Sequence, residues 1–155
     1  MLQSVDGSND VEGRRHWIGV LARAELAFLE QEMPRLKPPS HTWLRKPETG
    51  LAMVRARIGG TGDKFNLGEA LITRCTLRLA TGETGVAYVQ GRSHRKVELA
   101  AIGDALLQSP TMHAAAYRIL IEPVLHELAA RSARAQRLAQ ATRVEFFTVA
   151  REAGA

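Results

Sequence analysis

The chain has 155 residues, of which 45% are hydrophobic and 24% charged, a composition typical of a soluble globular protein with one domain, here predicted as residues 1–155. No apolar run approaches the roughly 20 residues that span a bilayer, and the acidic N-terminus lacks a secretory signal, so we predict a cytoplasmic protein without a membrane segment. The net charge of +5 favours acidic partners, although an aromatic content of 5% argues against base stacking and so against nucleic acid.

The first predicted element is one amphipathic helix, which follows residues 1–10, expected to be flexible. Apolar residues recur every three or four positions from Trp17 to Phe28, and the pattern ends at the proline-rich connector 33–40. The apolar face is wider than one neighbouring element usually covers. Two interpretations remain open: a helix of the core, or a helix that also packs on a partner through Trp17 and Phe28.

The middle of the chain predicts a sheet of four antiparallel strands, because short connections separate the extended runs. With the helix before it and a helical half after it, the fold class is α+β. The strands are predicted at about 41–46, 51–58, 66–80 and 84–91.

Alternation assigns faces within the third of these strands. Its small or apolar residues, from Leu71 to Leu79, fall on every second position, so Arg74 and Arg78 lie on the opposite face. Arg55 and Arg57 show the same two-residue spacing. If the runs pair as neighbours, four guanidinium groups share one face of the sheet.

The C-terminal half predicts three helices. Ser93 caps the first, Ser109-Pro110-Thr111 ends it, and the other two follow at about 111–121 and 124–142, with Pro123 between them. Two aromatic residues then stand close to the terminus, where they either fill the core or meet another subunit: Phe146 and Phe147.

Catalytic and metal motifs are not found. The five histidines are scattered, His126-Glu127 lacks the second histidine of a zinc-protease helix, and Cys75 is the only cysteine. We therefore predict no catalytic residue, no metal site and no cofactor bound by this chain.

A glycine-rich stretch at 59–62 allows two interpretations. It matches neither a P-loop nor a dinucleotide fingerprint, so it is either a tight turn between strands or a cradle of amide N–H groups for an anion. Arg92 begins a cationic junction of strand and helix. The candidate anion-binding residues are therefore Arg55, Arg57, Gly59, Gly60, Gly62, Arg74, Arg78 and Arg92. The alternative is that these arginines pair with Glu48, Glu69, Glu83 or Glu98.

Eight stretches resemble one family in their order and spacing, from about residue 14 to residue 152. That family is PhnG, the small G subunit of the bacterial carbon–phosphorus lyase system for phosphonate use. The stretches are Arg15-His16-Trp17, Glu48-Thr49-Gly50-Leu51, Ala56-Arg57-Ile58-Gly59-Gly60-Thr61-Gly62, Phe65-Asn66-Leu67-Gly68-Glu69-Ala70, Thr73-Arg74-Cys75, Gly91-Arg92, Asp104-Ala105-Leu106 and Arg143-Val144-Glu145-Phe146-Phe147-Thr148.

The resemblance implies an accessory subunit of a core complex with H, I and J subunits. That system forms ribose 1-methylphosphonate 5-triphosphate from ATP and methylphosphonate and releases adenine. It also implies that catalysis lies mainly in the I subunit and in the J subunit, which uses an iron–sulfur cluster and S-adenosylmethionine. Two hypotheses follow: a subunit that organises the I subunit, or a basic module that itself binds the triphosphate or phosphonate.

Overall fold

A computed structural model describes residues 7–143, with side chains described from residue 11 onward. Three strands form an antiparallel sheet in the order β1-β2-β3, which confirms the α+β class. The elements in chain order are α1 Gly7–Arg23, α2 Leu26–Glu32, a 3₁₀ turn Met33–Leu36, β1 His41–Arg57, a 3₁₀ turn Ile58–Gly60, β2 Lys64–Leu79, β3 Thr84–Gln90, α3 His94–Gln108, α4 His113–Ala116, a π-helical turn Tyr117–Ile121 and α5 Glu122–Ala141.

The prediction of four strands was wrong in one detail, because the first two predicted strands are one continuous strand, β1. Pro47 lies where the register with β2 shifts, between Arg45 and Glu48. A bulge on an edge strand accommodates a proline, since the missing N–H is not needed for the ladder. The proline therefore bends β1 without ending it.

The predicted N-terminal helix is two helices. Ala24 is buried, and Glu25 has extended backbone angles between α1 and α2, so the chain changes direction there. Further on, the capping prediction was correct: the Oγ of Ser93 accepts a hydrogen bond from the N–H of Lys96 at 3.2 Å. The π-helical turn precedes Pro123, which has no N–H to donate to the carbonyl four residues earlier.

The core lies between α3 and one face of the sheet, and α1 packs against both α3 and β3. Cys75 and Leu77 of β2 are buried beneath α3, and Val20 and Leu21 of α1 are 0% and 1% exposed. Gly85 of β3 lies so close to α3 that a Cβ atom there would stand 1.9 Å from the carbonyl oxygen of Ala101. This contact between backbones sets the distance between helix and sheet.

The chain divides into two compact units, one ending at Leu125 and one beginning at His126. In the second unit, helix α5 carries an ion pair of Glu127 with Arg131 at 2.8 Å. The single-domain prediction for residues 1–155 stays a prediction, as does flexibility of residues 1–10, of which 1–6 lie outside the described residues. Within residues 7–143, no helix has both the length and the apolar character that crossing a membrane requires.

Candidate functional site

The strands β1 and β2 are much longer than the elements that pack on them. At about 3.3 Å per residue the 17 residues of β1 reach about 55 Å, whereas the 15 residues of α3 span about 22 Å. Strand β3 pairs only with residues 72–78 of β2. Residues 51–71 therefore continue beyond the three-stranded sheet as a two-stranded antiparallel ribbon, which we call the β-ribbon.

The β-ribbon is exposed on both faces and carries apolar side chains. No residue from 51 to 69 is buried. Six of its large hydrophobic residues are exposed to solvent: Leu51 64%, Met53 54%, Val54 38%, Ile58 73%, Phe65 40% and Leu67 63%. An isolated two-stranded ribbon is marginally stable in water, and a concentration of exposed apolar side chains marks an interaction site. This surface is the candidate functional site.

The faces of the ribbon follow from the register. Thr49 and Thr73 are cross-strand partners whose hydroxyl oxygens lie 2.9 Å apart, on the face that α3 covers further along the sheet. By alternation, Leu51, Met53, Arg55 and Arg57 continue that same face beyond the end of α3. The face thus changes from apolar at the base of the β-ribbon to cationic at its tip.

The four sheet arginines do not share one face, so this part of the prediction was wrong. Arg74 and Arg78 lie on the opposite face to Thr73, whereas Arg55 and Arg57 lie on the face of its partner Thr49. The prediction that the two arginines of each strand lie on one face of that strand was correct. Which faces coincide depends on the pairing register, and a shift of one residue exchanges them.

Arg74 is held in an exposed cluster with a carboxylate. Its Nε donates to Oε1 of Glu48 at 2.7 Å, and Arg45 donates to the same oxygen at 3.0 Å. The hydrogen bond from Arg74 lowers the pKa of the Glu48 carboxyl below its usual value. The alternative of an internal acidic partner is thereby confirmed for this arginine.

The glycine stretch forms the turn between the two long strands, as one of its two interpretations predicted. Gly59 and Gly60 have φ of 60° and 80°, and the N–H of Gly62 donates to the carbonyl of Ile58 at 2.9 Å. Arg57 donates to the carbonyl of Gly62 at 3.2 Å. Binding of an anion at this turn stays a prediction.

The other candidate arginines are spread over the sheet. Arg78 lies 3.5 Å from the hydroxyl of Thr84, and Arg92 is exposed at the start of the loop before α3. Arg55 is exposed on the β-ribbon. The eight candidate residues therefore do not form one pocket, and their role in anion binding stays a prediction.

Of the predicted partner contacts, Trp17 is part of the core. It is 7% exposed, and its indole N–H donates to Oδ1 of Asp104 at 2.9 Å, so its large ring is occupied within the chain. Phe28 is half-buried and stays a candidate contact. Phe146 and Phe147 lie outside the described residues. Among the described residues, the exposed large hydrophobic side chains are concentrated on the β-ribbon, where sequence reasoning did not place them.

Asp104 is a buried carboxylate that the sequence predicted only as part of the family resemblance, without a role. It is 0% exposed and accepts from Arg14 at 2.8 Å and from the backbone N–H of Val86 at 2.9 Å, in addition to Trp17. The available signal was one acidic residue inside an apolar helical run. Its donors come from α1 and β3, so this carboxylate of α3 joins the three elements.

No constellation for catalysis is formed within residues 7–143. These residues contain no group of three acidic, histidine or cysteine side chains that could hold a metal ion. Cys75 is buried, and burial raises the pKa of its thiol to about 12, so it is neutral and not a nucleophile.

Comparison with known proteins gives two findings. The model of the family described as "Phosphonate metabolism protein PhnG" matches residues 12–152 of this chain. The chain is also 43% identical over 159 residues to a protein of Rhizobium meliloti (strain 1021) named alpha-D-ribose 1-methylphosphonate 5-triphosphate synthase subunit PhnG, and the match covers 97% of this chain and 98% of that protein.

Proposed function

Because this chain belongs to the PhnG family of phosphonate metabolism proteins, we propose that it is a non-catalytic subunit of ribose 1-methylphosphonate 5-triphosphate synthase. The whole assembly acts in the cytoplasm as a transferase. It replaces the adenine of ATP with methylphosphonate, and adenine leaves. The near full-length similarity to a protein named as a subunit of this synthase supports the assignment.

The observation that carries the proposal is the exposed β-ribbon. Its two strands have no covering element among the described residues, yet they present Leu51, Met53, Phe65 and Leu67 to solvent. Burial of apolar surface is the dominant favourable term in stable association. Permanent assembly with other subunits would explain this exposed apolar surface. A protein that acts alone usually covers such a surface or has polar residues there.

In the finer form of the proposal, the chain organises the I subunit within a core complex that also holds the H and J subunits. Catalysis of adenine release then lies with the I subunit. The iron–sulfur cluster and S-adenosylmethionine lie with the J subunit, and this chain holds no cofactor of its own.

Co-expression tests the proposal. The chain is produced alone and together with the other subunits, and the soluble fraction and the composition of the tagged complex are measured. We expect aggregation of the chain produced alone, a stable complex containing the I subunit on co-expression, and synthase activity only in that complex. A monodisperse chain that does not bind the I subunit contradicts the proposal, and so does a chain that consumes ATP and methylphosphonate unaided.

The second candidate function is direct binding of the triphosphate or phosphonate. It is favoured by the exposed cations Arg55, Arg57 and Lys64 beside a turn with two glycines of positive φ. The double substitution Arg55→Gln and Arg57→Gln separates the two functions. Loss of synthase activity with an intact complex supports substrate binding, whereas dissociation of the complex assigns these arginines to assembly.

A further inference from the structure

The β-ribbon has two open edges, and they differ in regularity. On β2 the register shift between Val54 and Arg55 of β1 leaves Leu67 as an extra residue, so that edge is interrupted by a bulge. On β1 both bulges lie before Glu48, and residues 48–57 follow one another without interruption. Bulges protect a strand edge against pairing. The edge left suitable for an additional strand is therefore residues 48–57 of β1.

The side chains along this edge specify what an added strand must carry. Directly opposed residues on neighbouring antiparallel strands share a face, where opposite charges attract and like charges repel. On one face of β1, Leu51 and Met53 are followed by Arg55 and Arg57. A matching strand therefore has apolar residues toward the base of the β-ribbon and two carboxylates, spaced two residues apart, toward its tip.

The opposite face of the same edge has small residues. This face carries Gly50, Ala52, Val54 and Ala56. Small side chains leave room for larger apolar residues of an incoming strand, which would lie over them. The required segment thus carries apolar residues followed by two carboxylates on one face, and apolar residues on the other face.

The same edge of a second copy does not meet the requirement. Residues 48–57 contain one acidic residue, Glu48, which lies on the face of its partner Arg74 and is bound to it at 2.7 Å. In a symmetric antiparallel pair of two β1 edges centred on Met53, Arg55 would lie opposite Leu51 and Arg57 opposite Thr49. The two cations would face no carboxylate.

We propose that residues 48–57 of β1 receive, by strand addition, an extended segment of a different subunit that carries two carboxylates facing Arg55 and Arg57. This inference rests on the proposed function, because it takes the partner from the same synthase complex. Backbone hydrogen bonds along the edge would give affinity, and the arginines would fix the register and direction of the added strand.

Charge reversal tests, in the native complex, whether the two arginines of the β1 edge face carboxylates of the partner. The variant Arg55→Glu/Arg57→Glu is compared with wild type by co-purification through a tag on this chain and by the dissociation constant of the complex. We expect the dissociation constant to rise about tenfold or more, because two cross-strand attractions become repulsions. The matched control is Arg134→Glu/Arg137→Glu on α5, which changes the net charge equally at exposed positions and should leave the complex intact.

Hydrogen exchange tests which edge is used. Amide exchange is compared between the complex and the free chain carrying a solubility tag. We expect the amides of residues 48–57 that do not already pair with β2 to slow by about tenfold or more, with a smaller change along 64–71.

Three results overturn the inference: unchanged affinity in the arginine variant, equal weakening in the control, or protection confined to 64–71. A tagged chain that dimerises by itself with protection at 48–57 also overturns it in favour of a second copy. All four leave the proposed function standing if wild type enters the complex. If the wild-type chain does not enter the complex, the proposed function itself is contradicted, and the inference falls with it.

Discussion

At the scale of single residues, the buried side chain of Asp104 joins three elements of the fold. Its carboxylate accepts hydrogen bonds from Arg14, Trp17 and the backbone of Val86, and it is 0% exposed. A buried charge is tolerated only where donors surround it, and the removal of such a group leaves those donors without partners.

The first prediction concerns this carboxylate. Asp104→Asn removes the charge and turns an amide NH₂ toward existing donors, so the free energy of unfolding should fall by about 3 kcal/mol. Pulse proteolysis in urea, on the chain with a solubility tag, measures the change. Glu127→Gln, which breaks an exposed ion pair with Arg131, is the control and should cost at most about 0.5 kcal/mol. Equal costs for the two variants would contradict the role assigned to Asp104.

The second prediction concerns Cys75. Burial beneath α3 raises the pKa of its thiol to about 12, above the ordinary value of 9.0, so the folded chain keeps the thiol protonated. Iodoacetamide at pH 8 should leave the folded chain unmodified and label it in urea. Because the unfolded state loses the proton first, this thiol also makes stability fall as pH rises from about 9 toward 12, and Cys75→Ala should lack that contribution. Rapid labelling of the folded chain would contradict its burial.

At the scale of elements, the contact of β3 with α3 depends on the absence of one side chain. A Cβ atom at Gly85 would lie 1.9 Å from the carbonyl oxygen of Ala101, a distance that only a shift of the helix relieves. Gly50 of β1 is in the same sheet with nothing within 4 Å of its Cβ position, and its φ is not in the left-handed region.

These two glycines give the third prediction. Gly85→Ala should reduce the free energy of unfolding by about 3 kcal/mol, since helix and sheet must separate. Gly50→Ala should be neutral or raise it by a few tenths of a kcal/mol, because alanine restricts the unfolded chain. Thermal unfolding of the two tagged variants distinguishes them. A Gly85→Ala variant as stable as wild type would show that α3 does not pack as described.

Local sequence patterns correctly predicted features that depend on neighbouring residues alone, such as a helix cap or the buried face of a strand. Ser93 caps α3, and the alternation from Leu71 to Leu79 gave the buried face of β2. The gap expected between residues 46 and 51 was wrong, because these residues belong to one edge strand in which a bulge accommodates Pro47. The faces of Arg55 and Arg57 were not predictable, since the pairing register is a property of two strands together.

At the scale of the whole molecule, the partner surface was not located by sequence because exposure is not a local property. Trp17 and the apolar residues of α1 look like surplus until Asp104 and α3 are present to cover them. Leu51 to Val54 look like an ordinary strand until the 15-residue length of α3 leaves them uncovered. The partner surface could have been inferred only by comparing the length of the strands with the length of α3, and not from any single sequence pattern.

The fourth prediction removes the β-ribbon. Replacing residues 52–70 by Asn-Gly joins Leu51 to Leu71, which are cross-strand partners, through a two-residue hairpin turn. The shortened chain should fold and stay more soluble than wild type, because it loses exposed apolar side chains but keeps the core. It should no longer enter the synthase complex, as co-purification would show. A shortened chain that still assembles normally would remove the β-ribbon from the interface.

The anchoring of α1 also determines when this helix can reach its final position. Arg14 and Trp17 reach Asp104 across separations of 90 and 87 residues in the chain. The ribosome therefore releases α1 long before the helix that receives it has been translated. Val20 and Leu21, which are buried in the folded chain, therefore stay without their final cover until α3 has been translated.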